Sequence, residues 1–156
     1  MTRITVGQPL PAFTAASTSG DIDSQALRGR PCVLYFYPKD NTPGCTTESQ
    51  DFRDLYAQFL AADCAVFGIS RDSLKSHEGF IEKQSLPFPL ISDPDEALCA
   101  LFDVMKLKNM YGKQVRGIDR STFLIDKDGV LVQEWRGVRV PDHALEVLRS
   151  VQNLAA

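Results

Sequence analysis

The chain has 156 residues, of which 44% are hydrophobic and 24% charged, and its net charge is −3. That balance is expected of one soluble globular domain spanning residues 1–156, long enough to bury a core. A weakly acidic chain without basic runs is a poor match for nucleic acid or an acidic membrane surface, and no stretch has the length of a membrane-spanning helix. Met1 to Leu10 has no apolar h-region, so no secretory signal is expected. Cys32, Cys45, Cys64 and Cys99 are irregularly spaced, which does not suit a disulfide framework. They read as thiols of a cytoplasmic protein.

In chain order, Pro11 to Ala16 and Ile22 to Ser24 predict short edge strands, joined by the Ser19-Gly20-Asp21 turn into an N-terminal β-hairpin. Val33 to Tyr37 is an apolar run and predicts a buried strand. Thr42 is placed to cap a helix with Pro43 at its first position, running to about Ala61. Phe52, Leu55, Tyr56 and Phe59 fall on one face of it. Ala65 to Ser70 is the next buried strand. A helix capped by Asp72 or Ser73 should end before Pro87, and Leu90-Ile91 should form a short strand. Asp93-Pro94 predicts another helix, through about Phe102, with Cys99 inside it. Val104 to Gly117 shows no period and is expected to be an irregular polar excursion. Ser121 to Ile125 and Val130 to Trp135 flank Asp128-Gly129, a hairpin signal. Pro141 should open a last helix with Ala144, Leu145, Leu148 and Val151 inward. Helices alternate with strands first and a hairpin closes the sheet, which predicts an α/β fold with a mixed central sheet flanked by helices.

Cys45 carries the chemistry. The predicted helix places it at N3, among unpaired N–H groups at the positive end of the helix dipole. Cysteines at such positions are favoured as thiolates, the reactive form. Thr42-Pro43-Gly44-Cys45 has a hydroxyl where a Cys-x-x-Cys pair would have its first sulfur. A dithiol oxidoreductase needs both sulfurs. A Thr–Cys pair instead suits a single thiolate with a hydroxyl that can hydrogen-bond to a substrate oxygen.

Pro38, Thr42 and Cys45 match the Pro-x-x-x-Thr-x-x-Cys motif of peroxiredoxins, and Phe36 to Glu48 resembles the bacterioferritin comigratory protein, or peroxiredoxin Q, group. The resemblance extends through Gly7 to Phe13, Phe67 to Asp72, Leu86 to Asp95 and Gly117 to Asp126. It implies a thioredoxin-like fold and a thiol peroxidase that reduces hydrogen peroxide and organic hydroperoxides in antioxidant defence, without a cofactor. The implied catalytic residues are Cys45, Thr42, Arg120 and Pro38, with Pro43 and Gly44 shaping the substrate pocket. Arg120 enters through the segment Gly117 to Asp126; read by itself it would be a surface arginine pairing with Asp119 or Asp126. Glu48, one turn after Cys45, is equally compatible with a solvated carboxylate and with a site role.

The chain departs from the family pattern at the resolving cysteine. Gln50 stands where many members carry it, and Ser76 to Ser85, the other usual location, has none. Cys32 and Cys64 begin strands and are expected at the far end of the sheet. Cys99 is the one candidate internal resolver. A single-cysteine cycle is therefore expected, with thioredoxin, glutaredoxin or glutathione as the external reductant and the enzyme acting as a monomer. His77 and His143 sit alone in helices, and no spacing suggests a metal site. Two other classes fit the chain less well. A disulfide oxidoreductase is disfavoured by Thr42, and a non-catalytic binding module would not require Pro38, Thr42, Cys45 and Arg120 together.

Overall fold

The computed structural model describes residues 4–155, so residues 1–3 and 156 of the expected domain lie outside it. Its strands are β1 (Thr14–Ser17), β2 (Ile22–Asp23), β3 (Cys32–Phe36), β4 (Ala65–Ser70), β5 (Leu90–Ser92), β6 (Met105–Met110), β7 (Lys113–Ile118), β8 (Ser121–Ile125) and β9 (Leu131–Arg136). Its helices are α1 (Pro43–Ala61), α2 (Leu74–Gln84), α3 (Ala97–Leu101) and α4 (His143–Ala155).

The central sheet has the order β2-β1-β5-β4-β3-β8-β9. β3, β4 and β5 run parallel, while β1, β8 and β9 are antiparallel to their neighbours. This is the expected mixed sheet with its N-terminal hairpin. All five residues of β3 are buried, and its two faces feed two core layers. Val33, Tyr35 and Tyr37 pack with Phe52 and Phe59 of α1, Phe80 of α2 and Val147 and Val151 of α4. Cys32, Leu34 and Phe36 pack on the opposite face with Leu98 and Cys99 of α3, Phe102 and Phe123. Burial on both faces explains why β3 reads as a continuous apolar run rather than an alternation.

Several boundaries differ from expectation. Residues 104–117 hold no irregular excursion: β6 and β7 form a hairpin, turned by Tyr111 at φ 54° and Gly112 at φ 78°. Two left-handed residues make a primed turn, which favours Asn-Gly or Asp-Gly; Tyr-Gly carries half of that signature. α4 begins at His143 rather than Pro141, because Asp142 is left-handed at φ 64° and cannot be its first turn. Val147 takes the inward place expected of Leu145, which is 37% exposed. α3 starts only at Ala97, and the Asp93 carboxylate accepts from the N–H groups of Leu98 and Cys99. Asp93 therefore satisfies N–H groups of the first turn from outside the helix.

Candidate active site

β3 ends at Phe36, and the chain turns through Tyr37 to Asn41 into α1. Asn41 is left-handed at φ 65°, a conformation asparagine tolerates. Thr42 is the N-cap residue, Pro43 takes the first helical position, and Cys45 falls at N3. The thiol sits at the helix start and is 1% exposed, whereas Pro43 and Gly44 of the same turn are exposed and Pro38 of the preceding loop is half-buried. Thr42 departs from expectation in one respect. Its hydroxyl makes no capping bond to the helix and instead donates to the Lys39 carbonyl at 2.7 Å.

Arg120 reaches this site through sheet register. β8 pairs antiparallel with β3, with Ser121 opposite Phe36. The residue before Ser121 therefore stands beside the loop that leads to Cys45. Arg120 Nη2 lies 3.4 Å from Cys45 Sγ, and Nη1 donates to Glu48 Oε1 at 2.6 Å. The Arg120 carbonyl is tied to the Val138 N–H at 2.9 Å. Its guanidinium bonds Glu48 and Cys45 rather than Asp119 or Asp126, so the surface pairing is replaced by a contact with the thiol.

Glu48 is not a solvated carboxylate. It is 1% exposed, and its second oxygen, Oε2, has no hydrogen-bond partner among the described residues. Burial pushes its carboxyl up to about 7, although Arg120 pulls the other way. The helical phase held the signal. Cys45, Glu48, Ser49, Phe52 and Phe59 are the buried residues of α1, so Glu48 shares a face with both the thiol and the core. Ser49 bonds Tyr35 Oη at 2.9 Å, and the Tyr35 ring stacks on Phe52, which fixes α1 against β3. A Cβ on Gly44 would lie 3.2 Å from Arg120 Nη2, so glycine here leaves room for the guanidinium as well as for a ligand.

The other cysteines lie apart from this cluster. Cys99 is fully buried in the core layer on the opposite face of the sheet from Cys45. Burial, reinforced by Asp93, pushes its thiol well up. Cys32 and Cys64 sit at the starts of β3 and β4, as expected, and burial raises both to about 12. A surface cleft lined by Pro31, Asp63 and Asp126 lies at that far end of the sheet, away from Cys45.

Neither histidine is alone. His143 Nε2 lies 2.8 Å from Thr122 Oγ1, and burial lowers its pKa to about 4. His77 Nδ1 lies 2.8 Å from Asp40 Oδ2. Asp40, Asp72 and His77 offer ligand atoms within 4.8 Å of one another, a spacing compatible with a cation, but all three are already hydrogen-bonded to protein. Asp72 and His77 flank the start of α2, but Asp40 comes from the loop after β3, so local spacing could not reveal the group.

The AhpC/TSA family model matches residues 6–134. The chain belongs to the AhpC/TSA family of peroxiredoxins. It is 53% identical over 148 residues to peroxiredoxin Bcp of Xanthomonas campestris pv. campestris, covering 92% of each chain. It is 46% identical over 153 residues to peroxiredoxin Bcp of Bacillus subtilis, covering 97% of this chain and 98% of that one. Its fold superposes on a mutant of Xylella fastidiosa peroxiredoxin Q with a TM-score of 0.93 at 42% identity, over the whole of both chains. A second solved relative, the X. campestris bacterioferritin comigratory protein, gives a TM-score of 0.90 at 48% identity, covering 97% of this chain and all of that one. Trapped intermediate and ligand complexes of that protein were solved to examine its alkyl peroxide reduction activity. The thioredoxin-like fold and the peroxiredoxin Q resemblance read from Phe36 to Glu48 both hold.

Proposed function

We propose that this peroxiredoxin acts as a single-cysteine thiol peroxidase on hydrogen peroxide and organic hydroperoxides, with Cys45 as its nucleophile. The observation that carries this reading is the Arg120 guanidinium, which stands 3.4 Å from Cys45 Sγ at the start of α1. A fixed cation there faces the charge that moves from sulfur to the departing oxygen during reaction.

The thiolate attacks the terminal oxygen of ROOH. An S–O bond forms as the O–O bond breaks, sulfur is oxidised to a sulfenic acid, and the departing alkoxide takes up a proton as ROH. Thr42 has one hydroxyl proton, already donated to Lys39, so toward a peroxide O–H its oxygen acts as an acceptor. Pro38, Pro43 and Gly44 form the entrance, and Pro38 shields the thiol from water. An external thiol then condenses with the sulfenic acid, releasing water and leaving a mixed disulfide. A second thiol breaks that disulfide and restores Cys45. Thioredoxin, glutaredoxin and glutathione are the candidate reductants. Cys99, on the other face of the sheet, takes no part in this cycle.

Among the described residues no helix is long and apolar enough to cross a membrane. A single catalytic domain, monomeric and cytoplasmic, completes the reading. Peroxide-dependent thiol consumption tests it. Wild type should turn over and Cys45→Ser should not, with its fold intact; substantial turnover by the serine variant would remove Cys45 from the mechanism.

A further inference from the structure

The loop that delivers Cys45 is anchored by a buried polar cluster on its other side. Asp40 lies between Tyr37 and the helix cap, and its side chain is 1% exposed. Tyr37 Oη donates to Asp40 Oδ1 at 2.6 Å, and Ser76 Oγ donates to Oδ2 at 2.8 Å. His77 of α2, 0% exposed, places Nδ1 2.8 Å from the same Oδ2. Its other nitrogen, Nε2, lies 2.9 Å from the Ile91 carbonyl of β5.

A proton count decides what this cluster is. The Ile91 carbonyl can only accept, so Nε2 must carry a hydrogen. The short contact between Nδ1 and Asp40 then needs a second proton, on the imidazole or on the carboxyl. Without it, a carboxylate would face a nitrogen lone pair in a site closed to water. Turning the ring to its other tautomer would leave the Ile91 carbonyl unpaired, at a cost of about 1–3 kcal/mol.

We propose that Asp40 and His77 share one buried proton that pins the Cys45 loop to helix α2, which makes them positioning residues for peroxide reduction and gives that reaction an alkaline limit. From the β3 side the pair faces Tyr35 and Tyr37, both held neutral by burial. From the loop after β4 it faces Asp72, whose Oδ2 accepts from the Asp40 N–H at 2.9 Å and from the Ser70 hydroxyl. From α2 it faces Ser76, and from β5 only a carbonyl. Tyr37 and Ser76 donate to the Asp40 carboxylate, whereas Asp72 sets a further acidic group beside it.

The inference rests on Cys45 being the reacting thiol, but its first test does not involve activity. Wild-type protein labelled with 15N-histidine and 13C-aspartate is titrated by NMR, with Asp40→Asn and His77→Gln used for assignment. Two protonated His77 nitrogens, or a protonated Asp40 carboxyl beside a neutral His77, are expected at pH 7. A neutral His77 facing an ionised Asp40 overturns the proposal, even in a fully active enzyme. The second test follows the rate of Cys45 oxidation against pH by stopped flow. The wild-type rate should fall as the proton leaves. Asn can donate to the His77 nitrogen and to Ser76 and accept from Tyr37, with no proton to lose, so Asp40→Asn should lack that alkaline fall. Asp40→Ala should be slowed by roughly tenfold or more already at neutral pH, since the loop loses its anchor. An alkaline fall in Asp40→Asn matching wild type overturns the coupling. If Asp40→Ala does not fold, the wild-type proton count and the Asn profile still decide. Turnover by Cys45→Ser would instead overturn the peroxidase reading and leave the proton count standing.

Discussion

Arg120 and Glu48, 72 residues apart in the chain, meet in a buried ion pair at 2.6 Å, and the same guanidinium reaches Cys45. Glu48 orients the planar fork toward the thiol. Arg120→Ala should slow Cys45 oxidation by roughly 10²–10³, the loss seen when one preorganised donor to a developing charge is removed. Arg120→Lys keeps the charge but lacks the fork and should recover little of it. Stopped-flow oxidation with a hydroperoxide measures both, and wild-type rates in the alanine variant would return Arg120 to a structural role.

Glu48 supplies a dependence on pH. Burial raises its carboxyl from 4.5 to about 7. The folded state thus holds this proton more tightly than the unfolded chain does. The stability this contributes is full below pH 4.5 and is lost as pH rises through about 7. Wild type should lose stability relative to Glu48→Gln across that window, by on the order of 1–3 kcal/mol. Urea denaturation of both proteins at pH 4.5 and 8 reads the change. A difference that does not move with pH would mean that Glu48 stays ionised throughout.

Cys45 and Cys99 are separated by the sheet, whereas a disulfide needs Cα atoms within about 7 Å. One equivalent of peroxide should yield a Cys45 sulfenic acid, or a mixed disulfide when a small thiol is present. Cys99→Ser should turn over as wild type does. Intact-mass measurement, peptide mapping and steady-state assays check this. A quantitative Cys45–Cys99 disulfide, with turnover lost in the serine variant, would instead require α1 to unwind during each cycle.

Gly68 of β4 faces the ring that supports the site. A Cβ there would fall 2.7 Å from Leu90 Cδ2 and 2.8 Å from Tyr35 Cζ and Oη. Tyr35 is stacked on Phe52 and bonded to Ser49, so it has little room to yield. Gly68→Ala should destabilise the protein by about 1–3 kcal/mol through overpacking. Thermal unfolding tests this, and an unchanged midpoint would show that Leu90 and Tyr35 move aside without cost.

The sequence by itself determined the features that depend on neighbouring residues. Thr42-Pro43 marks the start of α1 and so places Cys45 at N3. The apolar runs mark β3, β4 and β8, and the Pro-x-x-x-Thr-x-x-Cys match marks the chemistry. Arg120 was legible only through the family segment around it, since nothing local distinguishes it from a surface arginine. The tertiary structure alone decided who meets whom. Antiparallel register between β3 and β8 sets Arg120 beside the thiol, and packing of α1 on the sheet buries Glu48. Three segments converge to close Asp40 and His77 away from water, and a Tyr-Gly turn folds residues 105–118 into a hairpin. Propensity and periodicity act over a few residues, whereas these contacts join positions tens of residues apart. Their energies exist only once the sheet has formed and water has been excluded.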